Sequence, residues 1–312
     1  MSTIIEVTGL RKKFKEKEVI RGIDFKVNQG EILCFLGPNG AGKSTTINII
    51  TGALKCESGD IKYCGENIYK NLTAYKKNLG IVPQELALYD DLPALTNVKF
   101  FASLYGLKGR QLDEGCRYAL EFTGLMERAK DKVSTFSGGM KRRLNIACAI
   151  AHRPHQLIMD EPTVGIDPQS RNHILEGVRR LRDEGMTILY TTHYMEEVEE
   201  ISTRIIIMDE GKIIAEGNKE DLKLDIDNER HYVIDAEYKK SPDTAPFYQI
   251  DGIKNVAVNE KQIEITTSKE TETLDQIITT LIACSVKINA ISCRTANLET
   301  VFLRLTGKSL RD

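Results

Sequence analysis

The chain has 312 residues, enough for two domains with a substantial core. Its 43 Lys and Arg nearly cancel its 45 Asp and Glu, for a net charge of −2. The charges are mixed throughout, which removes the global electrostatic case for nucleic acid. No apolar run approaches the about 18 residues a membrane helix needs, so any membrane role is expected to come through a partner. The seven cysteines are scattered, and the nearest two, Cys56 and Cys64, have no histidine beside them. Free thiols in a reducing compartment are expected, not a cysteine-bound metal. The start, Met1 to Glu6, lacks the basic and apolar regions of a secretion signal, so no cleaved leader is expected.

In chain order, Ile5 and Val7 alternate with polar residues until Gly9, and Ile23 to Val27 alternates again. These predict antiparallel strands, with a turn at Asn28-Gln29-Gly30. Phe14 lies between them in a basic stretch, either packing as a strand residue or stacking on a flat ring. The apolar run Ile32 to Leu36 then predicts a buried parallel strand, and Thr46 to Thr51 a helix closed by Gly52. Between them stand Gly37, Pro38, Asn39, Gly40, Ala41, Gly42, Lys43, Ser44 and Thr45. Gly-x-x-x-x-Gly-Lys-Ser between strand and helix is a phosphate loop. Its glycines let backbone N–H groups converge on an anion, and the helix adds its positive dipole end. Lys43 is placed to reach β- and γ-phosphates and the Ser44 hydroxyl to ligate Mg²⁺.

Ile61, Tyr63 and the turn Gly65-Glu66-Asn67 suggest a short hairpin, and Leu79 to Val82 a strand leading to Gln84. From Leu92 to about Ala151 the spacing turns helical, as in Val98, Phe101, Ala102 and Tyr105. Ser137 caps a helix whose opening glycines, Gly138 and Gly139, leave its N–H groups approachable. That is either a second anion site or an ordinary capped helix with Lys141, Arg142 and Arg143 facing water. Leu157-Ile158-Met159 predicts a strand buried on both faces, with Asp160 and Glu161 at its carboxyl end. There Asp160 can hold Mg²⁺ and Glu161 can polarise a water. Asp167 precedes a helix opened by Pro168, and the strand Met186 to Thr192 delivers His193, again at a carboxyl end. Met195 to Ile201 reads as an acidic helix and Arg204 to Glu216 as a hairpin. After a charged linker, Leu224 to Arg230, strands are expected around Tyr232–Ala236, Val256–Val258, Ile263–Thr266 and Ile288–Cys293. Helices are expected at Leu274–Ala283, with Leu274, Ile277, Ile278 and Leu281 on one face, and at Leu298–Leu305.

The ordered set of Lys43-Ser44, Gln84, Ser137-Gly138-Gly139, Asp160-Glu161, Asp167 and His193 resembles the ATP-binding cassette (ABC) ATPases over about residues 3–225. The wording Phe136-Ser137-Gly138-Gly139-Met140-Lys141-Arg142-Arg143 and the run Asn297 to Gly307 are similar to its drug and antibiotic exporter branch, including daunorubicin- and linearmycin-resistance ATPases. The resemblance implies that Phe14 stacks on adenine, Val19 lies near the ribose, and Gly37 through Thr46 hold the phosphates. It implies that Ser137, Gly138, Gly139 and Met140 bind ATP held by an opposing subunit, with Asp167 at the dimer interface. Glu161 would be the general base, His193 the γ-phosphate sensor, and Gln84 a Mg²⁺ contact that relays to the membrane subunit; Ser44 and Asp160 complete the metal set. Met140 stands where the family usually has Gln, which removes that side chain's hydrogen bond.

The fold class so implied is α/β. A phosphate-loop (RecA-like) parallel sheet core carries an N-terminal antiparallel β subdomain and a helical subdomain at about 86–150. The expected domains are 1–225, binding nucleotide, and 226–312, a small α+β accessory domain that stabilises a homodimer or regulates. The expected function is ATP hydrolysis driving export through a separate membrane permease, with ATP and Mg²⁺, at the cytoplasmic face of the membrane. The partners expected are a second copy or a paralogous ATPase and the permease, with no nucleic acid. The alternative is an ABC ATPase of translation or DNA maintenance. Translation types carry two cassettes, against one phosphate loop here, and DNA types carry long heptad runs, which are absent from this sequence.

Overall fold

The computed structural model describes residues 2–224, 229–238, 242–259, 262–268, 270–294 and 298–306. It divides into two compact units, one up to Asn218 and one from Lys219 onward. The division falls earlier than the 225/226 boundary expected, because Lys219–Leu224 is helical and groups with the second unit.

In the first unit β1 (Thr3–Phe14) and β2 (Lys17–Asn28) make one long antiparallel hairpin. Gly9 does not end the first strand as expected. The register slips between Val7 and Leu10, and this bulge lets β1 continue to Phe14. β3 (Ile32–Leu36) is buried along its whole length, as an apolar run between two covering layers must be. α1 (Lys43–Ile50) begins at Lys43 rather than Thr46, which places the lysine in the first turn. β4 (Ser58–Tyr63) and β5 (Glu66–Asn67) join β1, giving the sheet order β2-β1-β4-β5. α2 (Leu72–Lys77) was not legible in its polar sequence. It is started by Asn71, whose side chain accepts from the Ala74 N–H.

There follow β6 (Leu79–Val82), α3 (Ala94–Leu104), α4 (Gly109–Phe122), α5 (Gly138–Ile150), β7 (Gln156–Asp160) and α6 (Pro168–Asp183). β8 (Thr187–Thr192), α7 (Met195–Ile201), β9 (Arg204–Asp209) and β10 (Lys212–Gly217) complete the unit. The central sheet runs β10-β9-β3-β8-β7-β6 and is parallel except for β10. Its core joins the two sheets through α1: Ile23, Phe25 and Val27 pack with Phe35, Ile47, Ile50 and Met208. Phe25 meets Phe35 edge-on with ring centroids 5.1 Å apart.

Register is what assembles the site. Leu36 pairs with Thr192, Asp160 with Thr191 and Met159 with Val82. The carboxyl ends of β3, β8, β7 and β6 therefore stop at one level, where open α/β sheets bind ligands.

The second unit comprises α8 (Lys219–Leu224), β11 (Glu229–Glu237), β12 (Ile253–Asn259), β13 (Gln262–Ser268), α9 (Leu274–Ala283), β14 (Lys287–Arg294) and α10 (Leu298–Thr306). Its antiparallel sheet, ordered β12-β13-β11-β14, packs Tyr232, Ile234, Ile263 and Ile265 against Ile277 and Leu281 of α9. The expected apolar face of α9 is narrower than its sequence suggested: Leu274 is exposed and Ile278 half-buried. Of the expected charged linker, 225–228 lie outside the described residues, and Glu229 and Arg230 already belong to β11. Asn297 and Gly307 also lie outside them, on either side of α10.

Candidate functional site

The loop from Gly37 to Gly42 turns the chain from β3 into α1. Gly42 has φ +107°, and a Cβ there would lie 2.7 Å from Ile20 Cδ1, so conformation and space both require glycine. Ile20 and Val19 back the loop, which places Val19 behind it. No side chain caps α1. Its first N–H groups are left for an anion, and the dipole favours negative charge there.

Lys43 is buried, and its ammonium donates to the carbonyls of Gly37 at 2.7 Å and Pro38 at 3.2 Å. Desolvation holds its pKa below the usual lysine range, opposed by the nearby carboxylates of Glu161 and Asp160. Nζ lies 3.3 Å from Glu161 Oε1. Beside it the Ser44 hydroxyl donates to Asp160 Oδ1 at 3.1 Å, and Thr191 donates to the same oxygen at 2.5 Å. Thr46 is buried with its hydroxyl on the Gly42 carbonyl at 2.9 Å, so within this chain it closes the helix's first turn.

Glu161 is the centre of the arrangement. It follows the last residue of β7 with φ +45°, a conformation costly for a residue with a Cβ. The chain is held there by its N–H on Thr191, with the carbonyl at 3.1 Å and the hydroxyl at 3.0 Å. Gln84 Nε2 donates to Glu161 Oε2 at 3.3 Å, and His193 Nδ1 lies 3.4 Å from the same atom. Three side chains, from the segments that follow β3, β6 and β8, thus meet on the buried carboxylate that follows β7.

The remaining sequence-predicted residues stand apart from that cluster. Phe14 is exposed at the end of β1, with Lys12 Nζ 5.3 Å from its ring centroid. Ser137 caps α5, accepting from the Met140 N–H at 3.3 Å, while Ser137 and Gly138 face solvent. Gly139 is buried against α6: a Cβ there would lie 2.0 Å from Ser170 Oγ. Ser170 in turn donates to both carboxylate oxygens of Asp167, at 2.8 Å from its N–H and 2.7 Å from its hydroxyl. Those hydrogen bonds hold the Asp167 pKa below the usual carboxylate range. The structure therefore joins Gly139 and Asp167 into one local unit. Among the described residues, no hydrogen bond or ion pair ties that unit to the phosphate loop.

The three basic residues after Met140 do not face water as a simple capped helix would have them. Lys141 pairs with Asp90 at 2.9 Å, and Arg143 donates to the Thr123 carbonyl at 3.0 Å. Arg142 is buried and donates to the carbonyls of Pro83 at 3.2 Å, Gln84 at 2.7 Å and Val164 at 3.5 Å. It staples the Ser137 helix to the Gln84 segment, a role its sequence did not signal because the neighbouring Lys141 and Arg143 look the same. Arg142→Met strips three carbonyls of their donor and should cost about 2–4 kcal/mol of stability, the net scale of one to two hydrogen bonds to a charged group. Urea denaturation that returns the wild-type midpoint would show that those carbonyls do not depend on Arg142.

Sequence and fold comparisons identify the family. The ABC transporter family pattern matches residues 20–164. The chain is 42% identical to the linearmycin resistance ATP-binding protein of Bacillus subtilis, over 99% of this chain and all of that one. It is 35% identical to the Nod factor export ATP-binding protein I of Cupriavidus metallidurans over the full length of both. It is also 30% identical to a daunorubicin resistance ATP-binding protein of Streptomyces coeruleorubidus, over 99% of this chain and 98% of that one. Among solved structures, an ATP-binding subunit of an ABC transporter superposes with a TM-score of 0.65 at 29% identity, covering 72% of this chain and 93% of the other. A bacterial ABC transporter cassette solved as a dimer gives 0.64 at 25% identity, covering 69% and 98%. With a phosphate loop, a strand-end carboxylate pair and a Ser-Gly-Gly helix in this order and geometry, the chain belongs to the ATP-binding proteins of ABC transporters and is an ABC ATPase.

Proposed function

We propose that this ATPase drives export of a drug, antibiotic or lipid-like compound through a separate membrane permease. The observation that carries the catalytic part is the meeting of Lys43, Gln84 and His193 on Glu161, while Ser137 and Gly138 face outward from the same chain. One chain thus holds two half-sites. A second copy, or a paralogous subunit, turns its Ser137 helix onto the phosphates held by residues 37–46, with Asp167 at the junction and Phe14 against the adenine. Glu161 takes the proton of the attacking water, and His193 senses the γ-phosphate. Hydrolysis removes the charge that bridges the halves, and the dimer opens.

The Ser44 hydroxyl, the Asp160 carboxylate and the Gln84 amide oxygen are hard oxygen donors of the kind Mg²⁺ prefers, and Ser44 and Asp160 already touch. When bound, the metal would neutralise charge on the phosphates.

Among the described residues no helix is long and apolar enough to cross a membrane. The permease contact falls instead to the helical region, where Leu86, Tyr89, Leu92, Phe100 and Leu104 are exposed. Tyr89 meets Phe100 edge-on at 5.2 Å, forming an aromatic surface just beyond Gln84. The export direction rests on likeness to relatives named for resistance and export.

Mixing chains tests the shared site. Lys43→Met and Ser137→Ala chains should each be nearly inactive alone, yet their mixture forms one composite site with both intact halves. ATP hydrolysis should reappear on mixing; a mixture as inactive as its parts defeats the two-chain reading. Affinity purification from solubilised membranes should bring down an integral-membrane chain in fixed proportion, and its absence defeats the permease reading.

A further inference from the structure

α7 was legible only as an acidic helix, but Glu197 faces inward with Val198 and Ile201 and is completely buried. Its carboxylate gathers hydroxyl donors from two segments and a cation from a third. The Thr163 hydroxyl, two residues after Glu161, donates to Oε1 at 2.5 Å. Tyr190 and Thr192 of β8 each donate to Oε2 at 2.9 Å. Arg171 of α6 places Nε 3.5 Å from Oε1.

Two of these partners lead to His193. The Thr192 hydroxyl that donates to Glu197 also accepts from the Tyr194 N–H at 2.9 Å, so the turn carrying His193 is pinned to the carboxylate. The Arg171 guanidinium lies 4.7 Å from the centroid of the Tyr194 ring, and that ring packs on the His193 imidazole at 4.1 Å. His193 itself is held by no well-aligned hydrogen bond at Nδ1. Its position therefore depends on the turn and on the ring beside it. A carboxylate buried this deeply costs several kcal/mol unless fully partnered, and core packing alone would be served as well by an apolar residue.

We infer that Glu197 is a positioning residue for hydrolysis: it fixes the His193 turn, through Thr192 and through the Arg171–Tyr194 stack, against the loop that follows Glu161. This rests on the reading of His193 as the γ-phosphate sensor. Glu197 is completely buried and reaches His193 only through these partners, so it acts on turnover and not on nucleotide affinity.

The test is a double-mutant cycle on the full chain, reading turnover, fluorescent-nucleotide affinity and thermal midpoint together. Glu197→Gln keeps the shape but sets an amide N–H against donors. It should lower kcat about 10- to 100-fold, the scale of a sub-ångström to ångström misplacement, with nucleotide affinity within about twofold. In a His193→Ala background the same change should lower kcat less than about twofold, because the group being positioned is gone. A purely structural role would lower both backgrounds by one factor, and that outcome overturns the inference. Thr192→Val should reproduce the loss and Thr192→Ser, which keeps the hydroxyl, should recover it; equal rates for the two overturn it as well. If His193→Ala alone hydrolyses ATP at the wild-type rate, the sensor reading fails, and the inference fails with it for that separate reason.

Discussion

Glu161→Gln will give a chain that still binds ATP and pairs with a second copy but hydrolyses it about 10²- to 10⁴-fold more slowly, the usual worth of a positioned general base. Gln preserves the size of the side chain and one acceptor oxygen, so Lys43 at 3.3 Å keeps a partner. The proton acceptor is lost, and no second carboxylate can replace it: Asp160 is engaged by the hydroxyls of Ser44 and Thr191. Removing a negative charge from beside the phosphate site also relieves repulsion against ATP. The nucleotide-bound dimer should therefore accumulate. Size-exclusion chromatography with ATP should show the dimer for Glu161→Gln and not for wild type, alongside a phosphate-release assay. Unchanged turnover would remove Glu161 from the role of base.

The second large effect is on binding. Lys43→Met keeps much of the apolar stem but deletes the one buried ammonium in the loop, which now holds the carbonyls of Gly37 and Pro38. ATP affinity should fall about 10- to 100-fold, as expected for losing a hydrogen-bonded charge of 1.5–3 kcal/mol. The substitution also leaves Glu161 buried without its cation, and taking one partner from a buried pair destabilises by about 3–5 kcal/mol. Thermal unfolding should therefore show a lower midpoint for Lys43→Met, rescued in the Lys43→Met/Glu161→Gln double variant, where the residue at 161 no longer carries a charge that has lost its partner. Nucleotide titration giving a dissociation constant within about threefold of wild type would falsify the phosphate-contact role of Lys43.

Local signals were strong where one residue type has few alternatives. Gly42 has both a left-handed backbone and no room for a Cβ, so its place in the motif is dictated twice. The apolar runs of β3 and β7 could be read as buried strands because nothing polar interrupts them before their carboxyl ends. Elements of mixed polarity were harder. Gly9 looked like a strand end and is a bulge, since a two-stranded pairing can absorb a residue without stopping. Arg142 and Glu197 each sit in a run of like charges, and only packing selects the one that turns inward.

Sequence alone determined that a phosphate loop opens α1, that a carboxylate pair closes a buried strand, and that a Ser-Gly-Gly helix lies between them. Those are local facts, set by backbone conformation and hydrophobic run length within a few residues. Only the tertiary structure decided that Lys43, Gln84 and His193 converge on Glu161, and that Gly139 is seated on the Ser170–Asp167 turn. Those meetings depend on the order of parallel strands and on their register, which align the ends of β3, β8, β7 and β6 across long stretches of chain. Strand order is fixed by the packing of whole layers, and no short stretch of residues carries it.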